Sequence, residues 1–229
     1  MTTLPIDRTH PPARIVYDDG ARHLTLRPWS YGDLDALMDA VIASTAALKG
    51  FMPWAHTPPT REAEHALITR FQADYHAGRE YVFGCFGASG EVLGGAGLHP
   101  RTALNPRALE VGYWCHSAHT GRGWTTLAVQ MLIAVAFDRF GCDRFQVIHD
   151  EANVASRRVV EKCNIPYEGT LRNATSAVAP ELHAEGYLGT GRHRMYGMIP
   201  DDLPTLSWLP AVRAATTLYD VFGAAQRLA

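Results

Sequence analysis

The loop from His119 to Thr125 is the segment whose residue types and spacing point most directly to chemistry. It holds Gly121 and Gly123, separated by one residue, at the predicted start of a helix. Glycine lets a backbone approach an anion closely, and the first N–H groups of a helix have no partner within the helix. The helix dipole also favours negative charge there. The loop therefore predicts a phosphate cradle, with a tight strand-to-helix turn as the alternative.

Two common nucleotide-binding motifs do not fit this loop. It lacks the lysine of GxxxxGK[ST], and it lacks the third glycine of GxGxxG. A P-loop is therefore excluded, and a dinucleotide-binding fold is a poor match.

The elements on either side of the loop predict a strand–loop–helix unit. Residues 108–115 (ALEVGYWC) read as a strand that places Glu110, Gly112 and Trp114 on one face. The segment that follows the loop, through Phe137, is apolar almost all round. Such a helix packs against a sheet.

The other elements predict an α/β domain with the order βααβββαβαββ and a mixed sheet, antiparallel first and parallel at its centre. We expect an irregular lead-in over residues 1–21, a domain over 22–200 and a helical tail over 201–229 that either contacts a second copy or covers the domain. The predicted strands are 23–28, 81–86, 91–98, 108–115, 144–149, 167–171 and 193–199, and the helices begin near Ser30, Thr60, Trp124 and Asn153.

Composition narrows the class of protein. The 229 residues carry a net charge of −2 and are 47% hydrophobic, which is typical of a globular chain. No basic run suggests nucleic-acid binding, and no apolar stretch is long enough for a bilayer. The four cysteines form no CxxC pair, so neither structural zinc nor a disulfide framework is supported. The first ten residues lack the apolar core of a signal peptide, so we expect a cytoplasmic protein.

A second motif, NVASRRVVEK at 153–162, follows the loop by about 30 residues and comes directly after a predicted strand. Taken with other segments in this order and spacing, it resembles the GNAT acyltransferase superfamily, specifically its RimJ/RimL-type branch, over about residues 22–200. The other matching segments are FMPW (51–54), LEVGYW (109–114), TGRGWTT (120–126), YEGTLR (167–172) and RMYGMI (194–199).

The resemblance implies a fold, a cofactor and a set of contacts. The fold would be a GNAT-like mixed, mostly antiparallel sheet with splayed central parallel strands, flanked by helices. The donor would be acetyl-CoA or another acyl-CoA, with no metal. The pyrophosphate would meet the loop Thr120, Gly121, Arg122, Gly123, Trp124, Thr125 and Thr126, and the pantetheine arm would pair with Gly112, Tyr113 and Trp114. Asn153 would contact the end of that arm, Ser156 would protonate the leaving thiolate, and Arg158 would meet the adenosine phosphates.

The general base is the part of the chemistry that the sequence leaves open. Glu110 is the first candidate because it shares a strand face with Gly112, although it also fits a carboxylate that pairs with Arg107. Some RimL-type enzymes have a glutamate 19 residues after the serine, but Thr175 stands there in this chain. The remaining candidates are His116, His119 and His149.

The predicted function is direct acyl transfer to an amine, either a protein N-terminus or a small molecule. Phe51, Trp54 and Arg172 are predicted to contact the acceptor, with simple packing between helices as the alternative for the two aromatic residues. No nucleic acid or membrane partner is expected, and a homodimer is left open. The alternatives are a CoA-binding or assembly module without turnover and a succinyl-CoA-type transferase, in which Arg172 or Arg194 would hold the acyl carboxylate.

Overall fold

A ten-stranded sheet carries the helices on its two faces in the computed structural model, which describes residues 11–101 and 105–228. The strands are β1 (Arg14–Asp18), β2 (His23–Pro28), β3 (Tyr81–Phe86), β4 (Val92–Arg101), β5 (Ala108–Cys115), β6 (Arg144–Asp150), β7 (Tyr167–Leu171), β8 (His193–Met198), β9 (Thr216–Tyr219) and β10 (Ala225–Arg227). The helices are α1 (Leu34–Leu48), α2 (Arg61–His76), α3 (Trp124–Asp138), α4 (Val154–Lys162) and α5 (Leu209–Ala215).

The sheet has the order β10-β9-β1-β2-β3-β4-β5-β6-β8-β7. Among the described strands, β5 and β6 form the one parallel pair, and they pair only over Ala108–Glu110 and Arg144–Gln146. Beyond that point β5 continues to Cys115 beside β4, while β6 continues beside β8. The predicted mixed sheet with a parallel centre is confirmed, and the two central strands splay apart as the resemblance implies.

The two faces of the sheet have separate cores because strand side chains alternate. On one face, α1 and α2 pack around Trp29, Phe86 and Val92. On the other, α3 lies across the sheet with ten of its fifteen residues buried, as its apolar sequence predicts. The sites on these two faces are therefore separated by the thickness of the sheet, except where β5 and β6 diverge.

Both ends of the chain differ from the prediction. The irregular lead-in is wrong over Arg14–Asp18, which forms β1 between β2 and β9, whereas residues 1–10 lie outside the described residues. The tail forms a 3-10 helix over Pro200–Thr205 and an α-helix over Leu209–Ala215, and then enters the sheet. The buried residues of these two strands are Ile15 and Tyr17 in β1 and Thr216 and Leu218 in β9. Both strands are too short for this alternation to be recognised in the sequence among polar neighbours. The boundaries at 22 and 200 therefore do not separate the ends from the sheet, and the tail covers its own domain.

Over the described ranges, the structure contains no helix both long enough and apolar enough to cross a membrane. Nor do those residues include a group of three or more His, Cys, Asp or Glu side chains placed to hold a metal ion.

Candidate active site

The glycine-rich loop has the backbone geometry of an anion cradle. Gly121 and Gly123 have φ values of 76° and 81°, in the left-handed region that favours glycine, and Gly123 is the N-cap of α3. The first hydrogen bond of the helix runs from Leu127 N to Gly123 O at 3.0 Å, so the amides of Trp124, Thr125 and Thr126 precede it. The first turn contains no acidic residue that would repel an anion. These amides are available to a phosphate group.

The position of this loop is fixed from α1. The Ser117 amide donates to Ser44 Oγ at 3.0 Å, and the buried Ser44 hydroxyl donates to Ala40 O at 2.7 Å. His116 Nδ1 accepts from the Ala118 amide at 3.0 Å and thereby caps the short 3-10 turn before the loop. His116 therefore has a structural use here, and burial lowers the pKa of its imidazole.

The edge of β5 that faces β6 is left without a strand partner beyond Glu110 among the described residues. Backbone N–H and C=O groups need hydrogen-bond partners. An extended molecule that carries its own amides, such as a pantetheine arm, can pair with this edge at Gly112–Trp114 as a further strand would.

A hydroxyl pair lies on the α3 side of this edge. Tyr113 Oη and Ser156 Oγ are 2.8 Å apart, and the buried Ser156 is placed by Asn153, whose Oδ1 accepts from the Ser156 amide at 3.0 Å. Burial raises the pKa of the Tyr113 phenol, so it stays protonated at neutral pH. The pair can therefore donate a proton to a leaving group at the free edge. The structure gives Asn153 the role of helix cap.

A cavity of about 460 Å³ lies on the opposite face of β5, between the sheet, α1 and α2. Its floor includes Gly112 and Trp114, the face predicted from the alternation of β5. Trp54 closes one wall, with its ring edge-to-face on Trp114 at 6.2 Å. The lining residues are Trp29, Leu37, Val41, Met52, Trp54, Glu64, Leu67, Arg70, Phe71, Glu80, Val82, Gly95, Ala96, Gly97, His99, Gly112, Tyr113 and Trp114.

The sequence reasoning missed His99, which lines this cavity. Its Nε2 lies 3.2 Å from the position that a Cβ would take at Gly97 and also at Gly112, two glycines that pair directly across β4 and β5. Its Nδ1 lies 3.4 Å from Glu80 Oε2. The imidazole ring therefore lies against the backbone of two residues without side chains, next to the point where β5 diverges from β6.

Glu110, the base predicted from sequence, lies on the same face and is paired in register with His99. Its Oε2 accepts a hydrogen bond from Gln146 Nε2 at 2.9 Å. It is not among the residues that line the cavity. The structure thus brings Glu110 beside the cavity and His99 into it.

Only one of the three residues predicted to contact the acceptor lines the cavity. Trp54 lines the cavity, whereas Phe51 is not among its lining residues. Arg172 lies exposed in the turn after β7 and is not among those residues either. Arg158 is exposed on α4, where a phosphate can reach it.

His149 is buried on the α3 face, in alternation with Phe145 and Val147, and so does not face the cavity. Its Nδ1 lies 2.8 Å from Asp150 O, and its ring stacks on Tyr196 with centroids 5.4 Å apart. Its Nε2 is buried with no hydrogen-bond partner among the described residues. Desolvation lowers the pKa of this imidazole, and nearby arginines lower it further.

This environment makes the stability pH-dependent. A histidine with a lowered pKa in the folded state binds its proton more readily when unfolded, so stability falls as the pH drops below about 6.5. We expect His149→Phe, which keeps a ring on Tyr196, to lose less thermal stability than wild type between pH 8 and pH 5.5. The difference should reach at most about 1.4 kcal/mol, or roughly 3–6 °C in Tm, because pH 5.5 lies about one unit below the pKa of the unfolded imidazole. Calorimetric scans across this range measure it. The variant His183→Phe, on an exposed histidine, is the control, and a loss in His149→Phe equal to that of wild type would contradict the assignment.

Comparison with known proteins bears on this arrangement. The family model of the acetyltransferase (GNAT) domain matches residues 23–165. The chain is 31% identical over 114 residues to the probable N-acetyltransferase YjcK of Bacillus subtilis (strain 168), a match that covers 49% of this chain and 63% of that protein. It is 30% identical over 91 residues to the uncharacterized protein YkkB of the same organism, covering 40% and 53%. The chain thus spans less than two thirds of the length of either curated relative.

Solved structures share the fold over most of the chain. Mycobacterium smegmatis RimJ in complex with CoA-disulfide has a TM-score of 0.72 at 20% identity and covers 90% of this chain and 96% of that one. RimL, a ribosomal L7/L12 alpha-N-protein acetyltransferase in complex with coenzyme A, has a TM-score of 0.69 at 20% identity and covers 81% and 98%. At these identities the likeness is one of fold.

Proposed function

Because the chain belongs to the GNAT acetyltransferase family, we propose that it transfers an acetyl group from acetyl-CoA to an amine by direct attack. The observation that carries this proposal is the free edge of β5. The anion cradle lies beyond one end of that edge, and the Tyr113–Ser156 pair and the His99 cavity lie on its two faces. A thioester held along the edge would have a proton donor on one side and an acceptor pocket on the other.

The residues of the chain fit this donor. The positions that a Cβ would occupy at Gly121 and Gly123 have nothing within 4 Å, so a phosphate can come close to the loop amides. We propose that the amides of Gly121–Thr126 bind the pyrophosphate, whereas the Thr120 amide donates to Ser117 O at 3.4 Å. We also propose that the backbone of Gly112–Trp114 binds the pantetheine arm. Arg158 then meets the adenosine phosphates from α4. Acetyl-CoA supplies the activated acetyl group.

The chemistry then needs only proton transfers from the protein. His99 takes a proton from the ammonium of the acceptor, and the freed nitrogen lone pair forms a bond to the acetyl carbonyl carbon. A backbone N–H of the free β5 edge stabilises the charge that develops on the carbonyl oxygen. The C–S bond then breaks while the nitrogen loses its second proton to solvent. Ser156 donates a proton to the thiolate, with Tyr113 hydrogen-bonded behind it, and a proton from solvent restores the Ser156 hydroxyl. A thiol of pKa about 8.5 leaves readily, so this last step needs little assistance.

We place His99 before Glu110 as the base because a base must lie within hydrogen-bond reach of the proton that it abstracts. His99 lines the cavity, whereas the Glu110 carboxylate binds Gln146. Glu110 remains the second candidate, and variants at the two positions distinguish them.

Thermal unfolding with ligands tests the proposal. With about 1 mM acetyl-CoA and a Kd of about 10 μM, binding adds about 2.7 kcal/mol to stability. We expect Tm to rise by roughly 5–11 °C with acetyl-CoA, and not with ATP or NAD. No rise with acetyl-CoA would contradict the proposal. A rise with no release of CoA in the presence of amines would favour a binding module without turnover.

A further inference from the structure

We infer that the cavity selects a small amine carried on an aromatic or branched apolar body, and this inference rests on the proposed function. The amine is bound beside His99, and the apolar body lies against the indole and aliphatic walls under α1 and α2.

The walls of the cavity are mainly apolar. Three indoles, Trp29, Trp54 and Trp114, line it together with Phe71 and aliphatic side chains of α1, α2 and β3. Burying one side chain as large as phenylalanine in such surroundings gains about tenfold or more in binding. A volume of about 460 Å³ lies in the range of small-molecule pockets.

The charged groups of the cavity favour a cation. The lining residues include two carboxylates, Glu64 and Glu80, against one guanidinium, that of Arg70. Glu64 is half-buried on α2, and its carboxylate makes no hydrogen bond or ion pair with the described residues. Burial raises the pKa of this carboxyl group. An ammonium group in the cavity supplies the opposite charge that the desolvated carboxylate lacks, and the indole faces also attract cations.

Two other acceptor classes fit these walls poorly. A polyamine would bring several charges and no apolar body, and burying charges without partners is unfavourable. An extended peptide would need backbone hydrogen bonds. However, the floor strands β4 and β5 already pair with each other at Gly95–Gly97 and Gly112–Trp114. The remaining walls offer mostly carbon atoms, so a compact amine matches them best.

Relative rates of CoA release test this inference. With acetyl-CoA as donor, we expect kcat/KM for 2-phenylethylamine to exceed that for ethylamine by at least about tenfold, the gain from burying one phenyl ring. It should likewise exceed the values for spermidine and for the tripeptide Ser-Ala-Gly. Mass spectrometry of the acetylated amine confirms that the released CoA reports transfer.

Variants locate the selectivity in the cavity. Trp54 is half-exposed, so Trp54→Ala should fold, and we expect it to remove most of the preference for 2-phenylethylamine over ethylamine. Glu64→Gln should raise KM for both amines without changing the affinity for acetyl-CoA. The matched controls are Phe222→Ala at an exposed turn and Glu62→Gln on an exposed position of the same helix, and neither should change these values.

Three results would overturn the inference. One is equal or faster transfer to ethylamine, spermidine or the tripeptide than to 2-phenylethylamine. Another is no transfer to 2-phenylethylamine by a protein whose Tm rises with acetyl-CoA, in which case the proposed donor survives and the acceptor class fails. The third is a wild-type protein whose Tm does not rise with acetyl-CoA, since the proposed function then fails together with this inference.

Discussion

Replacing His99 by glutamine is expected to lower kcat for amine acetylation by about 10²- to 10⁴-fold, the usual contribution of a positioned general base. Glutamine does not take up a proton. Because it is close to histidine in size, it keeps the backbone of Gly97 and Gly112 covered. The affinity for acetyl-CoA should not change. Stopped assays with 2-phenylethylamine give kcat, and the change in Tm with acetyl-CoA reports binding and folding.

Three companion variants separate the role of His99 from its neighbours. Glu80→Gln removes the charge 3.4 Å from the ring, so it should lower kcat less than His99→Gln does. Glu110→Gln should leave kcat within a few-fold of wild type, and His183→Gln, on an exposed histidine outside the cavity, should leave it unchanged. Full activity in His99→Gln combined with a large loss in Glu110→Gln would transfer the role of base to Glu110.

Replacing Gly123 by alanine should weaken acetyl-CoA binding by about 10- to 100-fold. The residue has φ 81°, and an alanine in the left-handed region carries a penalty of about 1 kcal/mol or relaxes to another conformation. Relaxation turns the amides of the first turn of α3 away from the phosphate position. Each hydrogen bond to a charged group is worth about 1.5–3 kcal/mol, or roughly one to two factors of ten. Titration calorimetry measures the Kd directly.

The chain contains a matched control for this variant. Gly223 has the same φ of 81° and, like Gly123, has nothing within 4 Å of the position that a Cβ would take. It lies in the turn between β9 and β10, away from the loop. Gly223→Ala should therefore carry the same backbone penalty and leave acetyl-CoA binding unchanged. Equal affinities in the two variants would mean that the loop is only a turn.

The local parts of this site were predictable from sequence. The Gly121 and Gly123 loop and the faces of β5 depend on residue type and on a period of two or 3.6, which short segments already show. Asn153 before a helix and Ser156 three residues later form a capping pattern, and the structure has that bond. These features needed no knowledge of how distant segments pack.

The cavity depends on tertiary contacts, and the sequence reasoning missed its base candidate for that reason. Glu80 and His99 are 19 residues apart, and they meet because Tyr81 pairs with Leu98 in the β3–β4 hairpin. Both strands of this hairpin were predicted from the sequence, so pairing them and extending the register by one residue would have placed these two side chains together. The ring of His99 also contacts the backbone of Gly112, which belongs to another strand. No local sequence pattern predicts that contact.

A crystal structure with acetyl-CoA bound tests the central claim most directly. Pyrophosphate oxygens should then lie within hydrogen-bond distance of amides between Gly121 and Thr126. The acetyl carbonyl carbon should lie at the free edge of β5, within about 6 Å of His99 Nε2, which leaves room for one amine nitrogen at hydrogen-bond distances. Acetyl-CoA bound elsewhere, or with its acetyl group about 10 Å or more from both His99 and Ser156, would contradict the account.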